Sequence, residues 1–299
     1  MTNAESIRRT AEIEEITNWY FVHPLASRLV PLFAKARITP NAVSIAGMLF
    51  GIAAGLAYYR YREPGYTLAG FLLMVAWHVM DGADGQLARL TRSYSHFGKV
   101  LDGISDTVTF VAVYTALAMA LSHEYGGGMY ALVILSGLCH AVQSASYELE
   151  RQEYDSLGRA RQTSPARQRD MSGPRMVDGL FRRLDRFFYA GLSFPAADIA
   201  WRVREATTDA IQRHPAHEPL IRQRYRETFA PLLRQWSVLS ANYRTLGIFL
   251  AALLEGPQYY FVFEIVGFSA ILVWLLRAQR IRCATFLDSL RTALDQQPQ

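Results

Sequence analysis

Residues Ile38 to Tyr59 carry no charged side chain, and this stretch constrains the fold more than any other feature of the sequence. As an α-helix, an uncharged run of this length crosses about 30 Å of hydrocarbon. Further apolar blocks follow: Tyr66 to Met80, which ends at Asp81; Thr107 to Ser122; Gly126 to Tyr147, interrupted by His140; and Gln258 to Leu276, with one acid at Glu264. A shorter block, Thr245 to Leu254, lies between Arg244 and Glu255. A soluble helical domain would have to bury all of these blocks at once. With 51% hydrophobic and 19% charged residues, the chain is neither a disordered protein nor a disulfide-stapled miniprotein. The expectation is an all-α, polytopic membrane bundle.

The short block is kept because of charge asymmetry. Six spans starting from a cytoplasmic N-terminus place the connections 60–65, 123–125 and 255–257 outside, where Arg60 and Arg62 are the basic residues. The inside segments then hold Arg8, Arg9, Arg28, Lys35 and Arg37, next Arg89, Arg92 and Lys99, then sixteen arginines in 151–240, and finally Arg277, Arg280, Arg282 and Arg291. Five spans would put the last two groups on opposite sides, against the positive-inside rule. The N-terminal residues include Glu5, Glu12, Glu14 and Glu15 with no apolar core behind them, so no cleaved signal peptide is expected. Trp19, Tyr20 and Phe21 read as interfacial aromatics. Leu25, Leu29, Leu32 and Phe33 beside Arg28 and Lys35 read as an amphipathic helix on the cytoplasmic face, kinked at Pro31. Thr39-Pro40 supplies a cap and a first-turn proline for the first span. Cys139 and Cys283 are expected to be unpaired thiols.

The chain therefore divides into a cytoplasmic amphipathic segment 1–37, spans one to four at 38–150, an Arg-rich cytoplasmic insert at 151–239, spans five and six at 240–280, and a tail 281–299. Within the insert, Glu153 to Pro174 reads as a loop. Val177, Leu180, Phe181, Leu184, Phe187 and Phe188 alternate with Arg182, Arg183 and Arg186, as in an amphipathic helix on an anionic membrane surface. Leu220 to Leu239, with Arg222, Arg224 and Arg226, reads as a second helix broken near Pro231. The phenylalanines follow a helical stripe rather than forming stacking platforms. Membrane lipids, and no nucleic acid, are the expected partners of the basic residues.

The chemistry lies between Asp81 and Asp106. Asp81, Asp84 and Ala88 share one helix face, and Gly98, Asp102 and Asp106 repeat every four residues on a second. Leu90 to Phe97 reads as a short turn, so two antiparallel helices would bring four carboxylates together. Unpaired acids beside lipid are costly, and a pair of Mg²⁺ or Mn²⁺ ions is the simplest neutralisation. Such a pair can clamp a phosphoryl group together with its attacking and leaving oxygens. Gly85, Ala88 and Gly98 leave room for a bulky ligand near the backbone. His78, one turn before Asp81, reads as a satisfied polar residue between helices. The rival reading is a transporter or ion pathway using an intramembrane aspartate cluster. It calls for matched broken helices in two halves of the chain, and the sequence offers no such pair.

Asp81-x2-Asp84-Gly85-x2-Ala88-Arg89-x8-Gly98-x3-Asp102-x3-Asp106 resembles the signature of the CDP-alcohol phosphotransferase family at every fixed position. The resemblance extends over about 1–150 and 240–280. It implies transfer of a phosphoalcohol group, often phosphatidyl, from a CDP-linked donor such as CDP-diacylglycerol to an acceptor hydroxyl, with release of CMP, in phospholipid biosynthesis. It further implies a dimetal centre on Asp81, Asp84, Asp102 and Asp106, with Asp106 also the general base. Gly85 and Arg89 would contact the cytidine nucleotide and Ser95 would reach the donor, with Ala88 and Gly98 lining the same site and Asn41 and Ser44 added from the start of the first span. Arg151 and Arg244 are candidates for an acceptor phosphate. Members that use inositol phosphate carry a basic residue after Ser-Tyr at the end of the fourth span, whereas Ser146-Tyr147 here is followed by Glu148. The acceptor therefore stays open. Glu255 and Glu264 face either the bundle interior or an oligomer contact, the latter in a homodimer. The protein is expected to be multi-pass, with its active site facing the cytoplasm, in the inner membrane of a bacterial cell.

Overall fold

The structure, a computed structural model, describes residues 12–93, 95–159 and 194–295, and among them every regular element is helical. A π-helical turn, Asn18–Val22, leads into α1 (His23–Lys35), α2 (Pro40–Tyr58), α3 (Pro64–Thr91), α4 (His96–Tyr125) and α5 (Gly128–Arg159). After the undescribed residues come α6 (Phe194–Arg213), α7 (Glu218–Trp236), α8 (Ala241–Leu253), α9 (Pro257–Phe263), a π-helical turn Glu264–Phe268 and α10 (Ser269–Asp295). The expected helix around Phe181 to Phe188, with Arg182, Arg183 and Arg186, lies outside the described residues, as do Arg8 and Arg9. Among the described residues, four helical stretches are long and apolar enough to cross a membrane: Pro40–Tyr58, Val100–Tyr125, Gly128–Arg159 and Pro257–Leu290. α3 is long enough, but its C-terminal third carries the Asp81 to Arg89 motif; α8, at 13 residues, is short for a span.

The chain forms two compact units. The first comprises residues 1–138 and 241–266 and is organised by α2, which packs against both α3 and α4. α2 begins where Thr39-Pro40 says it should: the Thr39 hydroxyl accepts from the Ala42 amide at 3.2 Å and Pro40 takes the first helical position. Along it, Gly47, Gly51 and Gly55 form a stripe of missing side chains. A Cβ on Gly51 would lie 2.6 Å from Thr109 Cβ, and one on Gly55 would lie 2.8 Å from the Ala112 carbonyl group. A Cβ on Gly47 would come within 3.1 Å of Met80 Cβ. In a lipid environment helices associate by close packing rather than by escape from water, so these glycines bring α4 and α3 against α2. Trp77, Phe110 and Tyr114 pack edge to face around this contact.

α1 docks on α3 through Ala26 and Val30, which share a small core with Val43, Ala83 and Leu87. Leu32 on the expected apolar stripe is 61% exposed, as are Tyr20 (76%) and Phe21 (51%) upstream. α1 thus offers one face to the bundle and leaves part of its leucine stripe outside it. Pro31 lies within the helix, which continues to Lys35.

The second unit comprises residues 139–240 and 267–299. Its core sets Tyr225 against Phe229 and Phe286, and burial holds the Tyr225 phenol well above its usual range. Three readings of this region change here. Residues 153–159 continue α5 as helix, not loop, because Arg222 donates to the Leu157 carbonyl at 2.6 Å and Arg226 to the Gly158 carbonyl at 3.1 Å. These two guanidiniums donate to backbone carbonyls of α5, so they are bound to protein rather than spread on lipid. Pro231 does not break its helix: α7 runs from Glu218 to Trp236 with Pro231 inside it. The interruption comes at a short 3₁₀ turn, Ser237–Leu239. Cys139 and Cys283 are both free thiols, as expected.

Candidate metal centre

The acid motif straddles a tight turn, and local sequence explains its shape. α3 ends at Thr91, Arg92 turns left-handed at φ 53°, and the Ser93 amide closes back on the Ala88 carbonyl at 3.1 Å. α4 then starts under a cap from Ser95, whose hydroxyl accepts from the Gly98 amide at 2.9 Å. Asp81 on α3 is thereby returned towards Asp102 and Asp106, one turn apart on α4. Each of the three offers a carboxylate oxygen, and these oxygens all lie within 4.8 Å of one another. At that separation two negative charges repel by about 3 kcal/mol at an effective dielectric of 20. A cluster of this kind calls for protons or bound cations. An all-carboxylate donor set at hard-ion spacing suits Mg²⁺ or Mn²⁺.

Asp84 sits differently. It is 7% exposed and accepts from the Ser44 hydroxyl at 2.5 Å, a contact between α3 and the first turn of α2. Ser44 also receives the Ser105 hydroxyl on its carbonyl at 3.5 Å. The start of α2 therefore reaches both acid-bearing helices. Asn41, three residues earlier, lies against α4, since a Cβ on Gly98 would meet Asn41 Oδ1 and Ser95 Oγ, each at 3.1 Å. On α3, a Cβ on Gly85 would sit 3.6 Å from an Arg89 guanidinium nitrogen. Ala88 supplies the carbonyl that closes the turn. The structure thus brings together Asp81, Asp102 and Asp106; Asp84 with Ser44; Gly98 with Asn41 and Ser95; and Gly85 with Arg89.

The two candidate acceptor arginines each have a carboxylate partner of their own. Arg151 belongs to the second unit and donates to Glu148 at 2.7 and 2.8 Å. Arg244 is fully buried and paired with Glu264, both 0% exposed. Glu264 also accepts from Tyr114 at 2.6 Å, from Tyr260 at 3.0 Å and from Ser136. His78 is hydrogen-bonded to Thr245 at 2.9 Å, as a polar residue between helices. The sequence singled out Arg244 and Glu264 separately, the latter as facing the bundle interior or an oligomer contact, but did not pair them. The signal was available: one acid in the last apolar block and one arginine at the edge of the preceding one are opposite charges that a membrane interior drives together.

An all-helical domain with membrane-length apolar helices and a triad of convergent carboxylates defines a multi-pass membrane protein built around an acidic site. Residues 37–162 match the family model described as CDP-alcohol phosphatidyltransferase. It is similar to an archaetidylinositol phosphate synthase of Pyrococcus horikoshii, 33% identical over 92 residues covering 31% of this chain and 47% of the relative. It is also similar to a phosphatidylinositol phosphate synthase of Corynebacterium glutamicum, 30% identical over 135 residues (44% of this chain, 57% of the relative). A CDP-diacylglycerol–serine O-phosphatidyltransferase of Mycobacterium bovis is 27% identical over 112 residues, 37% of each chain. The chain spans between 22% and 66% of the length of the curated relatives it matches.

Proposed function

We propose that this protein transfers a phosphatidyl group from a CDP-linked lipid donor, CDP-diacylglycerol in the first instance, to an acceptor hydroxyl, releasing CMP in phospholipid synthesis. The observation that carries this reading is the convergence of Asp81, Asp102 and Asp106 within 4.8 Å, on a motif inside the matched domain. Asp81, Asp84, Asp102 and Asp106 would hold two Mg²⁺ or Mn²⁺ ions, which when bound neutralise the donor diphosphate. Arg89, lying over Gly85, and the Asn41, Ser44 and Ser95 side chains at the start of α2 and α4 would bind and orient the donor. Asp106 accepts the proton of the acceptor hydroxyl. The acceptor oxygen then forms a bond to the phosphorus that bears the diacylglycerol, the bond from that phosphorus to the bridging oxygen breaks, and CMP departs with that oxygen. Most of the rate enhancement would come from positioning and charge stabilisation.

The same proposal includes six membrane crossings, with α3 and α8 as the second and fifth. Support comes from Arg62, which donates to Glu124 at 2.6 Å and to Glu255 at 3.0 Å. Those residues belong to the connections 60–65, 123–125 and 255–257, and one guanidinium can join all three only if they meet at one end of the first unit. Burial and the Glu124 hydrogen bond push the neighbouring Tyr61 phenol up to about 12. The acid motif lies at the opposite ends of α3 and α4, on what the positive-inside rule makes the cytoplasmic side. The relatives named above differ in acceptor, so the acceptor alcohol is left to measurement.

The test uses purified full-length protein with CDP-diacylglycerol and a panel of inositol phosphate, inositol, serine and glycerol phosphate. CMP release with one acceptor is the expected result. Excess chelator should abolish it, and added Mg²⁺ or Mn²⁺ should restore it. Turnover that persists in excess chelator would return the aspartates to a structural role, and no CMP release with any acceptor would sink the assignment.

A further inference from the structure

A fully buried ion pair is an expensive element in a membrane bundle. Removing two charges from water is costly, and replacing such a pair with apolar residues is often neutral or stabilising. Arg244 and Glu264 are nevertheless both 0% exposed, and Glu264 lies in a π-helical turn, a local deformation of the kind often found at functional sites. The connections explain what the pair can do. Glu264 takes the Tyr114 hydroxyl from α4 and the Ser136 hydroxyl from α5. Arg244, its ion-pair partner, adjoins Thr245 on α8, and Thr245 is hydrogen-bonded to His78 on α3. Two adjacent residues of α8 thus tie it by separate polar contacts to α3, through Thr245 and His78, and to α4, through Arg244, Glu264 and Tyr114. At one end His78 precedes Asp81 by three residues, about 4.5 Å along the helix axis. At the other, Tyr114 follows Asp106 by eight residues on the same four-residue stripe, about 12 Å away.

We propose that His78, Thr245, Arg244, Glu264 and Tyr114 form a brace that holds α3 and α4 at the separation where Asp81 meets Asp102 and Asp106. They are positioning residues, acting on the metal ligands through the helices that carry them. Directional hydrogen bonds specify helix rotation and register more sharply than apolar packing, which tolerates small slips. This role uses Arg244 as a fixed counter-charge to Glu264 instead of a ligand for the acceptor phosphate. The inference rests on the metal-dependent reading above.

The test takes the full-length protein with Thr245→Val and, separately, Tyr114→Phe, each of which removes one hydrogen-bonding hydroxyl with almost no change in shape. Mn²⁺ is titrated into each purified protein and followed by electron paramagnetic resonance, and CMP release is measured against Mg²⁺, donor and acceptor concentration. Outer-shell partners of metal ligands typically change affinity by about 10- to 100-fold. The expected result is a Mn²⁺ Kd weakened by about tenfold in both variants, with donor and acceptor KM within about twofold of wild type. Thr245→Ser, which keeps the hydroxyl, should retain the wild-type Kd. Unchanged Mn²⁺ binding in both variants, or a change confined to acceptor KM, would overturn the brace while leaving the metal site standing. A wild-type protein that takes up no Mn²⁺ would overturn the metal reading and the brace with it.

Discussion

Asp106→Asn is expected to lower CMP release by about 10³-fold or more while the protein still folds and binds the CDP-linked donor. The substitution preserves volume but removes both a proton acceptor and a metal-binding oxygen charge. General-base catalysis alone is worth about 10²- to 10⁴-fold, and loss of a metal ligand adds to it. Asp106 shares its cluster with Asp81 and Asp102, whereas the groups assigned to the nucleotide, Gly85 and Arg89, contact each other one turn along α3. Donor binding and turnover should therefore separate. Donor affinity measured by equilibrium binding in detergent, beside a CMP-release assay, checks this directly. Turnover within tenfold of wild type would remove Asp106 from the chemistry.

The second large effect concerns the scaffold. Gly55→Leu is expected to prevent stable packing of the first unit, because even a Cβ there would lie 2.8 Å from the Ala112 backbone. Backbone cannot rotate aside as a side chain can, so α2 and α4 would have to part. Gly51→Val meets Thr109 in the same way, its Cβ 2.6 Å from Thr109 Cβ. Overpacking in a well-packed core costs about 1–3 kcal/mol where neighbours can adjust, and here more is expected. The measurement is thermal stability and size-exclusion behaviour in detergent, with Gly65→Ala as the control, since a Cβ at Gly65 meets nothing within 4 Å. A monodisperse Gly55→Leu protein with wild-type stability would show that the close approach of α4 to α2 is dispensable.

The glycine stripe illustrates a signal that was present in the sequence but not used. Gly47, Gly51 and Gly55 stand four apart in an uncharged block, the pattern of a helix interface in lipid. Read only for hydropathy, the block says that the segment can cross a membrane, not which neighbour it touches. Arg222 and Arg226 show the reverse case. Their spacing suits a basic helix on lipid as well as a protein contact, and only their donation to the Leu157 and Gly158 carbonyls of α5 decides between them.

The sequence by itself determined the local and periodic features. The uncharged blocks specified apolar helices, because backbone groups in hydrocarbon must be satisfied within the helix. Thr39-Pro40 specified where α2 begins, and the spacing of Asp81, Asp102 and Asp106 specified that their carboxylates would face one another across a turn. What the tertiary structure alone decided is which polar groups meet over long separations in the chain. Ser44 lies 40 residues from Asp84, and Tyr114 lies 150 residues from Glu264. No periodicity encodes such a contact. The reason is physical: spacing within a helix fixes which face a side chain occupies, but the partner across that face is chosen by how closely the helices approach. Here that approach is set by the glycines of α2 and the buried charges of Arg244 and Glu264.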